Sequence, residues 1–159
     1  MKKLLLLIPL FMISCQKEKN VITQHANQDS TGNQNKPQKE SVAIKVIENK
    51  PVTNKDEIIR TVDASQIPFI LNENFTKDEQ VLSLKITNYT KPSIKVNLIN
   101  KNHLNLRFTG IKLPDGSEDG PLPDEISYKI KGKGEVWLFF SRNTMAEGAS
   151  KGNFSVKVE

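Results

Sequence analysis

The sequence predicts an all-β protein: a two-layer antiparallel β-sandwich or jelly roll preceded by a disordered tether. Three observations carry that expectation. Five separate runs alternate apolar and polar residues with a period of two, the mark of strands with one buried and one wet face. Turn chemistry separates them, at Lys91-Pro92, Pro114-Asp115-Gly116, Gly120 to Pro123 and Gly132 to Gly134. Ahead of them lies a polar stretch, His25 to Glu40, holding one Ala and no larger apolar side chain. Such a stretch buries too little surface to offset its ordering entropy.

The first element is an address. Met1-Lys2-Lys3 is a positive n-region, and Leu4 to Ile13 is an apolar run interrupted by Pro9. Ten residues rise only ~15 Å as a helix, too little for a bilayer core of ~30 Å. The run therefore reads as a secretory signal and not as a span. It ends in Met12-Ile13-Ser14-Cys15, and Cys15 is the sole cysteine of the 159 residues. This junction resembles the lipobox of bacterial lipoproteins, in which a small residue precedes the cysteine to be lipidated. Met12 departs from the usual Leu. The resemblance implies that residues 1–14 are removed and that acylated Cys15 holds the chain to a membrane, several acyl chains anchoring stably where one does not. Gln16 follows the cysteine in place of the Asp that marks inner-membrane retention, which points to the outer membrane. Gln16-Lys17-Glu18-Lys19 is similar to the short charged tag of surface lipoproteins in Bacteroidota, with Lys19 interrupting the acids. The protein is thus expected to face the periplasm or the cell surface.

Residues 15–56 form the expected linker. About 40 flexible residues reach ~35 Å, enough to hold a domain clear of a lipid surface. Asp29-Ser30-Thr31 resembles an O-glycosylation acceptor of Bacteroidota; a plain linker is the simpler reading. Val42, Ile44 and Val46 alternate with polar residues and suggest an accessory edge strand ended by Pro51.

Residues 57–159 are the expected sandwich domain. Its alternating sets are Leu82, Leu84, Ile86; Ile94, Val96, Leu98; Leu104, Leu106, Phe108; Ile126, Tyr128, Ile130; and Phe154, Val156, Val158. Ile58 to Val62 and Ile67 to Leu71 add two strands. About eight short strands in ~100 residues fit two packed layers. A domain of that size buries roughly 65% of its unfolded surface, enough to fold without a disulfide. Val136 to Phe140 differs from the others. Val136, Leu138 and Phe140 face the core, which leaves Trp137 and Phe139 on the opposite side. Either the N-terminal strand or a loop covers this pair, or it forms an exposed aromatic platform for a sugar, a peptide or a protein partner.

Charge excludes nucleic acid. The chain carries a net charge of +5, but residues 57–159 hold fourteen Lys and Arg against thirteen acids. No basic stripe is clustered there. One Cys and two His leave no zinc set, and no cofactor is expected. Gly148-Ala149-Ser150-Lys151-Gly152 matches G-x-S-x-G, but no His follows Ser150 and the next residues read as a strand, against a nucleophile elbow. His103 reads as a turn residue. Asp115, Ser117 and Asp119 offer alternating oxygens to a calcium ion, yet Ile126 stands where an EF-hand loop places Glu. A solvated turn is the simpler account. The protein is not expected to be an enzyme.

Tyr128-Lys129-Ile130, Gly132 to Val136, a polar loop, and Gly152-Asn153-Phe154-Ser155-Val156 follow one another in an order that resembles a known arrangement. It is similar to the tail of bacterial prepeptidase C-terminal-type β-sandwiches and of the related periplasmic inhibitors of g-type lysozyme, over roughly residues 94–159. Arg142-Asn143 match an Arg-Asn pair of the inhibitors, whereas Val136 stands where they have Tyr. The resemblance implies binding and not catalysis. The expected function is a lipid-anchored, non-catalytic binding protein of the cell envelope whose ligand is a protein or a glycan. The alternative is an inhibitor of a lysozyme-type hydrolase, acting through Arg142 and Asn143. Structurally, Arg142 has the plainer options of capping a strand end or pairing with Glu147.

Overall fold

A computed structural model describes residues 43–159, and its strands build two packed sheets. The five-stranded sheet runs in the order β1 (Lys45–Ile47), β4 (Phe69–Phe75), β11 (Gly152–Val158), β6 (Ser93–Ile99) and β9 (Glu125–Lys129). The six-stranded sheet runs β2 (Val52–Asn54), β3 (Glu57–Asp63), β5 (Val81–Tyr89), β10 (Gly134–Arg142), β7 (Leu106–Lys112) and β8 (Glu118–Asp119). One turn of 3-10 helix, Ala64–Gln66, is capped by the Asp63 carboxylate, which accepts from the Ser65 N–H. The expected signal segment, Cys15 and most of the expected linker lie outside the described residues.

The alternating apolar sets meet between the layers. Leu82, Leu84 and Ile86 of β5 face Ile94, Val96 and Leu98 of β6 and Val156 and Val158 of β11 across a core in which all are buried. Two aromatic pairs lie within it: Phe108 stacks on Phe140 at 4.7 Å, and Phe75 meets Phe154 edge-on at 4.8 Å. Tyr89 is fully buried with its hydroxyl donating to the Ser93 carbonyl at 2.6 Å. Burial pushes that hydroxyl up to about 12. Ile126 and Tyr128 stay partly exposed because β9 is an edge strand with a neighbour on one side only.

The architecture is the expected sandwich, but β1 and β2, which fall within the expected linker of residues 15–56, are part of its sheets because they pair with β4 and β3. Two details also differ. Two pairings are parallel, β1 with β4 and β3 with β5. The second arises because the chain leaves β3, builds β4 in the opposite sheet and returns to β5 beside β3, a crossover that brings two strands back in the same direction. The alternation of Ile44 and Val46 also points to the wrong face. Both are exposed, at 40% and 53%, whereas Ile47 enters the core at 8%. Pairing of Ile47 with the buried Leu71 fixes the register, and a one-residue shift exchanges every side chain between faces.

Each open side of the sandwich is closed by a polar contact between the sheets. On one side, Arg60 of β3 donates through Nε to Glu73 Oε2 of β4 at 2.7 Å, both side chains about nine-tenths buried. The same guanidinium donates to the Asn49 carbonyl, tying the β1–β2 connection to β3. On the other side, the Tyr128 hydroxyl of β9 donates to Asp119 Oδ2 of β8 at 2.8 Å. That carboxylate raises the Tyr128 hydroxyl above its ordinary range.

Candidate functional site

The outer face of the six-stranded sheet carries the aromatic pair. Trp137 and Phe139 occupy alternate positions of β10, opposite in parity to the buried Val136, Leu138 and Phe140, so the pleat turns them outward. Their rings are 6.4 Å apart and nearly parallel, at 16°. Both stay partly exposed. The N-terminal strands do not lie across them: β1 and β2 each pair in-plane at one edge of a sheet. Lys85, directly opposite Trp137, places its Nζ 5.1 Å from the indole centroid and pairs with Glu135 at 2.7 Å. Lys85 holds the Glu135 carboxyl below its usual range.

Beside Phe139 the sheet opens into a cleft. Phe139 pairs with Gly110 of β7, and a bulge there inserts Thr109, whose hydroxyl donates to the Phe139 carbonyl at 2.9 Å. The bulge lets Phe108 and Ile111 both face the core, leaving Thr109 and Gly110 on the outer side. A side chain on Gly110 would meet the Asp119 carbonyl at 3.1 Å. Gly120 is tighter still: at φ 153°, its Cβ would lie 2.4 Å from the Thr109 carbonyl oxygen. The segment from Glu118 to Pro121 therefore lies directly against β7 and walls a cleft of about 510 Å³ between itself and the Phe139 ring.

The acidic loop does not form a shared cation cage. Asp115 Oδ1 accepts from the Ser117 N–H at 3.0 Å and from the Ser117 hydroxyl at 2.5 Å, a local turn that holds Asp115 below its usual range. Asp119 is committed to Tyr128 and, through Oδ1, to the Gly120 N–H at 2.8 Å. Among the described residues, no three acidic, thiol or imidazole side chains converge on one point.

Arg142 and Asn143 stand elsewhere, at one end of the sandwich. Arg142 is the last residue of β10, and its Nη1 reaches Glu79 Oε1 at 3.9 Å, so its partner is Glu79 and not Glu147. Its Nε is buried without a partner. Asn143 Oδ1 accepts from the Met145 N–H at 3.1 Å, folding the loop tip so that Met145 is 91% exposed. The loop is fastened from beneath by residues that sequence reasoning passed over. Asn105, buried, donates through Nδ2 to the Asn143 and Ala146 carbonyls at 3.1 and 2.7 Å, and its N–H reaches the Ala149 carbonyl at 2.7 Å. Gln80, also buried, accepts through Oε1 from the Thr76 and Lys77 N–H groups and shapes the neighbouring turn.

Ser150 of the G-x-S-x-G run is 2% exposed, and its hydroxyl donates to Asp78 Oδ1 at 2.7 Å. That contact, with Lys151 beside it, holds Asp78 below its usual range. The serine is a buried clamp between two loops, out of reach of a substrate. His103 occupies a turn with φ 50°.

No family model matches the chain, and no curated protein matches it. Solved structures do. The pre-peptidase C-terminal domain of a collagenase from Bacillus anthracis is 9% identical with a TM-score of 0.47, the match covering 67% of this chain and all of that one. A periplasmic inhibitor of g-type lysozyme from Aeromonas hydrophila is 14% identical with a TM-score of 0.45, covering 65% of this chain and 99% of the other.

Proposed function

We propose that this chain is a lipid-anchored, non-catalytic binding protein of the cell envelope. Cys15 carries the acyl chains at the outer membrane, the polar linker ahead of β1 gives reach, and the sandwich presents the recognition surface. The observation that supports binding is how the free side chains are displayed. Trp137 and Phe139 sit on a strand paired on both sides, Arg142 ends that strand, and Met145 sits on the following loop, which Asn105 fastens. Fixed display lowers the ordering cost that association must meet. The burial of Ser150 speaks against a serine nucleophile at the one motif that suggested hydrolysis. Mass spectrometry of the mature protein from its native host is expected to show an acylated N-terminal Cys15; a mature chain starting elsewhere would refute the anchor. Capture on the immobilised protein from envelope extract, repeated with a Trp137→Ala/Phe139→Ala variant, tests the surface.

A second reading, inhibition of a lysozyme-type hydrolase, draws on the state of Arg142. Its side chain is 38% exposed, and its ion-pair contact is a long one to an exposed acid. A guanidinium so weakly held is available to a carboxylate in a partner's cleft. Truncating such a contact costs ~2–5 kcal/mol when it is desolvated. Lysozymes of the c, g and i types, assayed with the purified protein and with Arg142→Ala, decide it. Absence of inhibition at micromolar protein removes this reading and leaves the first.

A further inference from the structure

We propose that the cleft between Phe139 and the Glu118–Pro121 segment, with Trp137 beside it, binds an uncharged oligosaccharide. The inference rests on the binding-protein reading and names the ligand class for one of its two surfaces. The wall formed by Phe139 is an aromatic ring partly open to solvent, and Trp137 extends it with a second, nearly parallel ring 6.4 Å away. Flat apolar faces of this kind suit the C–H faces of pyranose rings, which carry their hydroxyls around the rim. The floor is Gly110, which adds no side chain beneath a ligand. The opposite wall supplies acceptors. Glu118, cross-strand from Lys112 on the outer face, holds its carboxylate well exposed. Carboxylates only accept, and sugar hydroxyls donate. A volume of about 510 Å³ falls within the span of small-ligand sites.

Charge and backbone geometry argue against the other occupants. Lys85 pairs with Glu135, and Lys112 pairs with Glu118 at 3.5 Å, so the rim mixes both signs and carries little net charge. A polyanion would meet Glu118, and a polycation would meet Lys85 and Lys112. An extended peptide gains most of its affinity by adding to a free strand edge. Here β7 is already paired on both sides, by β10 and β8, and the free edge of β8 is only two residues long, too short for a ladder.

Trp137 is the sole tryptophan, so its emission reports on this surface alone. The full chain is titrated with chitotetraose, cellotetraose, maltotetraose and mannotetraose, and separately with tetralysine, at low and high salt. At least one tetrasaccharide is expected to shift the emission saturably and independently of salt. Phe139→Ala, on the outer face, is expected to weaken that binding about tenfold or more, as loss of a central aromatic contact does. Glu118→Gln is expected to weaken it by roughly tenfold, the loss of a hydrogen bond to a charged group. Each variant's melting temperature is measured alongside, so that a folding defect is read separately. Silence from all four sugars at millimolar concentration overturns the proposal. So does salt-sensitive binding of tetralysine in their place, or unchanged sugar binding by a folded Phe139→Ala. In each case the envelope capture experiment still reports on its own whether the protein binds a partner.

Discussion

Breaking the contact between Arg60 and Glu73 is expected to cost the sandwich a large part of its stability. The pair joins the two sheets at their β1–β2 side, at 2.7 Å, with about a tenth of each side chain in water. Removing one partner of a buried pair costs ~3–5 kcal/mol, because the other charge is left desolvated without compensation. The residual exposure puts Glu73→Ala near the low end, about 3 kcal/mol. Arg60→Ala also frees the Asn49 carbonyl and with it the β1–β2 connection, so it is expected to cost more. At about 4 °C per kcal/mol for a domain of this size, Glu73→Ala lowers the melting temperature by roughly 12 °C. The double variant Arg60→Met/Glu73→Leu, which removes both charges and keeps volume, is expected to recover most of the loss, since a hydrophobic replacement of a buried pair is often neutral. Urea unfolding of the wild type, both single variants and the double variant gives the coupling energy. Single variants within about 1 kcal/mol of wild type, or a double variant as unstable as the two losses added, would refute the reasoning.

Asn105→Ala removes two side-chain hydrogen bonds from beneath the Arg142 loop. It is expected to cost ~1–3 kcal/mol and to raise amide exchange in residues 143–149 selectively; uniform exchange across the domain would argue against a local clamp. In acid, Asp63 matters most visibly. Its carboxyl is lowered to about 2, by Ser65 first and then Asn88, from an ordinary 3.8. A folded value below the unfolded one means stability present above pH ~4 and lost as pH falls toward 2; Asp63→Asn should flatten that limb of a pH–melting curve. In alkali the sign reverses for Tyr89, whose folded value of about 12 lies above its ordinary 10.0. Its contribution is full below pH ~10 and lost as pH rises toward 12, so Tyr89→Phe should melt lower at neutral pH yet lose less between those values.

The sheets were legible because strand periodicity is a local signal. The faces of Leu82 to Ile86, Ile94 to Leu98 and Phe154 to Val158 follow from alternation alone, and each enters the core. The exceptions come from long-range pairing. Nothing near Ile44 and Val46 shows that Leu71, in another strand, will draw in Ile47. Nor does the run Leu106 to Lys112 announce the bulge at Thr109, although Gly110 within it is the kind of residue that marks one.

The site was legible in proportion to how far its residues act through parity. Trp137 and Phe139 stand out because a strand apolar on both faces has more apolar surface than one core can take. The cleft beside them was not legible, since it depends on Gly110, Gly120 and Asp119 meeting across β7 and β8, and the acidic loop suggested only calcium or solvent. Asn105 was hidden for a sharper reason. It occupies a polar position between Leu104 and Leu106, where alternation assigns it to water, yet it is buried, because a loop some forty residues later folds over it and uses its amide. A polar residue between two strand-like apolar ones thus has two readings, a wet face or a loop clamp, and only the later segment decides between them. The same applies to Ser150, where the motif suggested a nucleophile and the contact with Asp78 makes it a fastener. In both cases the buried polar group is satisfied by backbone or side chain of a distant loop. Such groups hold the loops still, while Arg142 and Met145 above them keep part of their surface in water.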